Sequence, residues 1–203
     1  MPKTSILEPG KSYTFRNYFE MNYEPEDILA EFDFSLQRRH LDLPTSYTNL
    51  DQLTELKHSI QRRLPYVSLT SEAARREILI APIVLAVIDY TQAQLRIEYS
   101  INVSEQLKGS LDYYLHTQNN LLVIEAKKAD LARGFTQLAV ELIALEQWTT
   151  SKKPLLYGAV STGDVWQFGL LNREQKQVQQ DLNLYRVPAD LNDLFSSLIA
   201  ILN

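Results

Sequence analysis

With 203 residues, 45% hydrophobic and 22% charged, the chain suits one globular domain with an elaborated N-terminus, and its formal net charge of −5 counts against a protein that coats nucleic acid by bulk charge. The absence of cysteine excludes a disulfide framework and thiolate metal sites, and the three histidines, His40, His58 and His116, lack the spacing of zinc ligands. No apolar run is long enough to span a bilayer and the opening MPKTSILEPGK has no secretory apolar stretch, so the expectation is a cytoplasmic protein that does not bind membrane.

Residues 1–22 are polar and aromatic, with Tyr13, Phe15, Tyr18 and Phe19 close together, and read as an extended arm packed on the body. Pro25-Glu26-Asp27 opens a helix, PEDILAEF, with proline and acids in its first turn. Residues 36–43 are ambiguous, and the basic run Gln37-Arg38-Arg39-His40 fits a solvated loop. Asn49 or Asp51 caps a second helix, LDQLTELKHSIQRRL, whose Leu53, Leu56, Ile60 and Leu64 recur at helical spacing. Its Lys57, Arg62 and Arg63 suit a solvated face better than a nucleic-acid contact.

Pro65 ends that helix. Ser71 caps a third, SEAARREILIAPIVLAVIDY, with a kink expected at Pro82 and an ion pair available between Glu72 and Arg76, four residues apart. LRIEYSINV alternates as a strand over 95–103 and turns at 105–108 into a hairpin. A helix follows from Asp130 to about Thr149, with Leu131, Phe135, Leu138, Leu142 and Leu145 on its buried stripe and Gln137 and Glu141 beside it. LLYGAV is a buried strand, expected parallel to the strand before the helix. VWQFGLL pairs back on it, QVQQDLNLYRV adds a polar strand, and residues 189–202 form the last helix. The fold class is α/β, a central mixed sheet flanked by helices. Residues 1–70 are expected as an arm and helices packed on a core of residues 71–203.

The hairpin GSLDYYLHTQNNLLVIEAKK concentrates the chemistry. Polar Thr117-Gln118-Asn119-Asn120 forms its loop. If His116 pairs with Leu121, then Tyr114 pairs with Val123, and Asp112 sits opposite Glu125 with Cβ atoms roughly 4.5–5.5 Å apart. Lys127, two residues on, leaves the strand on the same face as Glu125. Like charges directly opposite destabilise a sheet. Three remedies are open: one carboxyl stays protonated, Lys127 compensates, or a divalent cation such as Mg²⁺ or Mn²⁺ bridges the pair. A pair of solvated charges at fraying strand ends would need none of them.

The order helix, strand, hairpin, helix, strand, with Glu72 in SEAARR, Asp112 in GSLDYYL, Glu125-Ala126-Lys127 in VIEAKK and Gln137 in GFTQLAVEL, resembles the PD-(D/E)XK nuclease superfamily with its restriction-endonuclease-like fold. The likeness is to the N-terminal nuclease domain of type I restriction motor subunits and its small relatives, and it spans about residues 71–160. It implies that Asp112 and Glu125 ligate Mg²⁺ (Mn²⁺ as substitute), with the Ala126 carbonyl and Glu72 as further ligands. It implies that Lys127 orients or deprotonates the attacking water and that Gln137 holds the lysine or a phosphate oxygen. Leu111 stands where many members have proline, and Glu141 stands where some have tyrosine.

The resemblance makes the expected activity Mg²⁺-dependent hydrolysis of DNA, or of RNA, by a homodimer if both strands are cut. The alternative is a non-catalytic nucleic-acid-binding or assembly module on the same fold. An enzyme of small phosphate esters finds no Gly-rich phosphate loop.

Overall fold

The computed structural model describes residues 5–46, 51–118 and 120–203. The expected cap at Asn49 and the hairpin-loop residue Asn119 lie outside the described residues, as do the first four residues of the expected arm. The protein is α/β. Strands β1 (Ser35–Arg39), β2 (Gln94–Asn102), β3 (Lys108–His116), β4 (Leu121–Ala126), β5 (Leu155–Ser161), β6 (Val165–Asn172) and β7 (Gln177–Asp181) form one mixed sheet in the order β1-β7-β6-β5-β4-β3-β2. A two-residue strand, β8 (Tyr185–Arg186), also pairs with β6. The polar run expected as one strand is thus two. Asp181 interrupts it, its buried Oδ1 accepting the N–H groups of Leu41 and Asn183.

The sheet separates two apolar cores. On one side lie α1 (Phe15–Glu20), α2 (Pro25–Ala30) and α6 (Leu131–Trp148), with Phe15, Tyr18, Leu138, Val123 and Val160 in contact. On the other lie α3 (Asp51–Arg63), α5 (Ala81–Thr91) and α7 (Leu191–Leu202), with Ile60, Val84, Ile124, Phe168 and Leu198. Central strand β4 is buried throughout, so both its faces are covered and, Glu125 apart, its sequence reads as an apolar run rather than an alternation. It runs parallel to β5, with α6 as the crossover.

Two local expectations are corrected. Residues 35–39 are not a loop: they form β1 and pair in parallel with β7 at the sheet edge. The segment 1–22 is not simply extended, because Phe15–Glu20 coil into α1 with Phe15 and Tyr18 buried. The third helix does break near Pro82, but over a longer stretch than a single kink. It runs as α4 (Glu72–Arg75), a π-helical turn Arg76–Ile80, and α5, which begins one residue before Pro82. Proline has no N–H to give to the turn before it, and the wider turn absorbs the mismatch.

The hairpin register is as read from sequence: His116 faces Leu121 and Tyr114 faces Val123. The ladder stops at Tyr113↔Ile124, one pair short of Asp112 and Glu125. On its other side β3 pairs with β2 at Ile97↔Tyr113 and Tyr99↔Leu111, and the pair Glu98–Asp112 between them is missing. Glu98 has φ +51, a left-handed conformation that a side chain other than glycine adopts at a cost. Alternation slips there by one residue. Tyr113 and Leu115 pack in the core of α5 and α7, whereas Leu111, two residues back, packs in the core of α1 and α6. Leu95 and Tyr99 in β2 are divided the same way.

Candidate active site

Asp112 sits where the sheet is interrupted. Lys127 gives its backbone N–H to Ser161 O of β5 at 2.8 Å. The N–H of Ala126 points the other way, where β3 would supply a carbonyl. It donates instead to Asp112 Oδ2 at 2.8 Å. The carboxylate thus replaces a missing ladder bond and is held at the end of β4. Its Oδ1 is 3.7 Å from Arg76 Nη1, and the same nitrogen donates to Glu98 Oε1 at 3.3 Å. Arg76 also lies over the Tyr113 ring, 5.2 Å from its centroid. The expected pairing of Arg76 with Glu72 gives way to these contacts.

Glu125 and Lys127 leave β4 on the α6 side, as period-two alternation requires. Glu125 is 2% exposed. Its Oε1 accepts from Lys127 Nζ and, at 2.6 Å, from Gln137 Nε2. Gln137 Nε2 also donates to Glu141 Oε1 at 2.8 Å. Glu125 Oε2, Gln137 Oε1 and Glu141 Oε2 are buried and have no partner among the described residues. Burial, then the nearby charge of Asp112, push the Glu125 carboxyl up to about 8. Burial and the charge of Glu125 hold Glu141 well above the usual carboxylate range. For Lys127, burial alone would lower the pKa, but the attraction of Glu125, Glu141 and Asp112 outweighs it and raises the ammonium. Its Nζ also lies 4.9 Å from the Phe19 ring centroid, a cation–π contact from α1.

Local sequence explains this convergence. Asp130 caps α6, its side chain accepting the Arg133 N–H at 3.1 Å, and so starts the helix three residues beyond Lys127. Gly134 lets the helix approach the sheet, since a Cβ there would lie 2.8 Å from Val160 Cγ2 and 2.9 Å from Lys127 Cγ. Gln137 and Glu141, one turn apart, then both reach Glu125. Glu72 comes from the far side: Ser71 caps its helix, and Arg75 ties that helix to Thr162 O and Asp164 at 2.8 and 2.7 Å.

The sequence-predicted residues Glu72, Asp112, Glu125, Lys127 and Gln137 all line one cleft of about 670 Å³, walled on its open side by Phe15, Arg16 and Phe19 of α1. Ala126 is fully buried behind it and enters through its backbone. Four contributors were not singled out from sequence. Arg76 read as an ion-pair partner for Glu72, Glu98 as an ordinary strand position, Phe19 as part of an aromatic arm, and Glu141 only as a departure from a motif. The one signal for Glu141 was a carboxylate beside a buried stripe.

The donors fit a hard divalent cation. They are carboxylate oxygens, and Glu125 Oε2 is buried, unpartnered and beside a second carboxylate. Among the described residues no three His, Cys, Asp or Glu side chains converge as a metal cage. Mg²⁺ does not need such a cage, since it takes one or two carboxylates and completes its shell with water and substrate oxygens. Among the described residues, no helix is long and apolar enough to cross a membrane. No family model and no curated protein matches this chain.

Proposed function

We propose that the protein is a Mg²⁺-dependent nuclease of the restriction-endonuclease-like class that hydrolyses phosphodiester bonds in DNA. The single observation that carries this reading is the buried, unpartnered Glu125 Oε2, on a carboxylate that lines one cleft with Asp112 and holds the Lys127 ammonium through its other oxygen. The antiparallel hairpin β3–β4 followed by α6 and a parallel β5 supports it. Asp112 and Glu125 would hold the cation, together with the Ala126 carbonyl, and Glu72 would act from across the cleft through water. A bound Mg²⁺ lowers the pKa of a coordinated water and polarises a phosphoryl oxygen.

The chain's own residues do the rest. Lys127, which lines the cleft with its ammonium on Glu125 Oε1, would stabilise charge developing on the phosphate. Gln137 keeps Glu125 in place through Oε1. Phe19 limits the lysine's range and keeps water off one side of it. Two copies are needed to cut both strands of a duplex, so a homodimer goes with double-strand cleavage.

The test is supercoiled plasmid and single-stranded substrates with Mg²⁺ or Mn²⁺. Cleavage is expected with the wild-type chain, none with chelator, and none with Asp112→Asn. Equal cleavage by that variant would overturn the assignment. A second reading is a non-catalytic nucleic-acid-binding or assembly module. The favouring observation is that Lys127 and Gln137 already occupy Glu125 Oε1 while Arg76 faces Asp112. It predicts that Mg²⁺ leaves the thermal midpoint of the protein unchanged.

A further inference from the structure

A second cleft, of about 320 Å³, lies at the other end of the hairpin, between β2, β3 and the C-terminus of α6. Its floor is a stack of rings. Tyr99 and Tyr114 are 5.4 Å apart and 13° from parallel, and Tyr114 and His116 are 5.2 Å apart at 26°. Arg96 covers the free face of this stack, its guanidinium carbon 4.6 Å from the Tyr99 centroid. His116 Nε2 is buried with no partner among the described residues. Trp148, 43% exposed, stands at the rim. An adjoining hollow is lined by Thr150, Ser151, Lys152 and Lys153. Among the described residues, no acidic side chain lines either cavity, in a chain whose net charge is −5.

A rim indole, a cationic plane, an unsatisfied ring nitrogen and hydroxyls beside two lysines make a consistent donor set. Its chemistry is that of an unpaired nucleobase with a phosphate attached. We propose that this cleft binds single-stranded polynucleotide. One base stacks on Trp148 beside the ring stack, and the flanking phosphates run past Lys152 and Lys153. The cleft lies on the same strand as the candidate active site. His116 lies four positions along β3 from Asp112, about 14 Å at strand rise. The inference rests on the nucleic-acid reading of that site for its ligand class, but not on the site's being catalytic.

The chain has two tryptophans, and Trp166 is fully buried, so Trp148 reports the cleft by fluorescence. The experiment titrates the full chain, in chelator, with an oligothymidylate, with a sugar-phosphate oligomer of equal length lacking bases, with a matching duplex and with thymidine monophosphate. Trp148 emission is expected to be quenched by the oligothymidylate and little changed by the other three. Trp148→Ala should weaken oligothymidylate binding about tenfold, followed by anisotropy of a labelled strand. Lys152→Gln should lower the dependence of log affinity on log salt by about 0.7.

Oligothymidylate binding that leaves Trp148 emission and the Trp148→Ala affinity unchanged would overturn the proposal. So would equal binding of the base-free oligomer or of the mononucleotide, or no binding at all. Quenching together with failure of the wild-type chain to cleave any nucleic acid would support the cleft and remove the nuclease reading. Cleavage that depends on Asp112 without quenching would do the reverse.

Discussion

Asp112 serves two partners: its Oδ2 completes the hydrogen bonding of Ala126 and its Oδ1 faces Arg76. Stability and activity therefore separate by substitution. Asp112→Ala leaves the Ala126 N–H buried and unpaired, and should cost about 1–3 kcal/mol in urea unfolding. Asp112→Asn keeps an acceptor oxygen and should cost less, yet both should abolish Mg²⁺-dependent cleavage. Glu125 gives a pH signature. Burial, then the charge of Asp112, push the folded carboxyl up to about 8, while the unfolded carboxyl releases its proton near its ordinary value of 4.5. Between those limits the native state binds more protons, so stability of the metal-free protein falls as pH rises. Glu125→Gln should flatten that decline, as read by thermal melts in chelator. A decline of equal slope in the variant would place the titration elsewhere, with Glu141 the first candidate.

At the scale of elements, the close approach of α6 to β4 and β5 sets the lysine. Gly134→Ala should raise helix propensity by about 1 kcal/mol, but the added methyl meets Val160 and Lys127 below 3 Å. Overpacking of this kind costs about 1–3 kcal/mol. The net expectation is a lower urea midpoint and cleavage reduced more than stability, because Lys127 must shift. This element was readable in advance: the stripe Leu131, Phe135, Leu138, Leu142, Leu145 and the capping Asp130 specify α6, and VIEAKK specifies β4 with its two charges on one face. The register of the hairpin was also readable, since a polar loop between apolar runs leaves few pairings. Arg76 and Glu98 were not. Their roles depend on a turn of π-helix and on a slip of strand phase, and neither has a periodicity to read. β1 was hidden for another reason: SLQRR at a sheet edge has one solvated face and only Leu36 partly covered, so its strand character comes from pairing with β7 rather than from its own pattern.

Across the whole molecule, the N-terminal segment is structural to the cleft. Phe15 and Tyr18 are almost fully buried against the body, and Gly109 leaves room for the Phe15 ring against β3. Phe15→Ala should cost about 3–5 kcal/mol and open the wall of the cleft, seen as lower cooperativity in urea unfolding together with lost cleavage. A cation that binds the folded state alone stabilises it by mass action, about 2.7 kcal/mol at a hundredfold excess over its dissociation constant. Mg²⁺ should therefore raise the melting temperature of the wild type and not that of Asp112→Asn, by differential scanning fluorimetry.

The left-handed Glu98 has a consequence at the rim of the sheet. In a strand, the direction of the backbone amides is tied to the facing of the side chains, so a slip in one is a slip in the other. A visiting strand that matched the amides of Gln94–Ile97 would be out of step with those of Tyr99–Asn102. The nine-residue edge of β2 is thus a poor template for strand addition, which guards the chain against edge-to-edge aggregation.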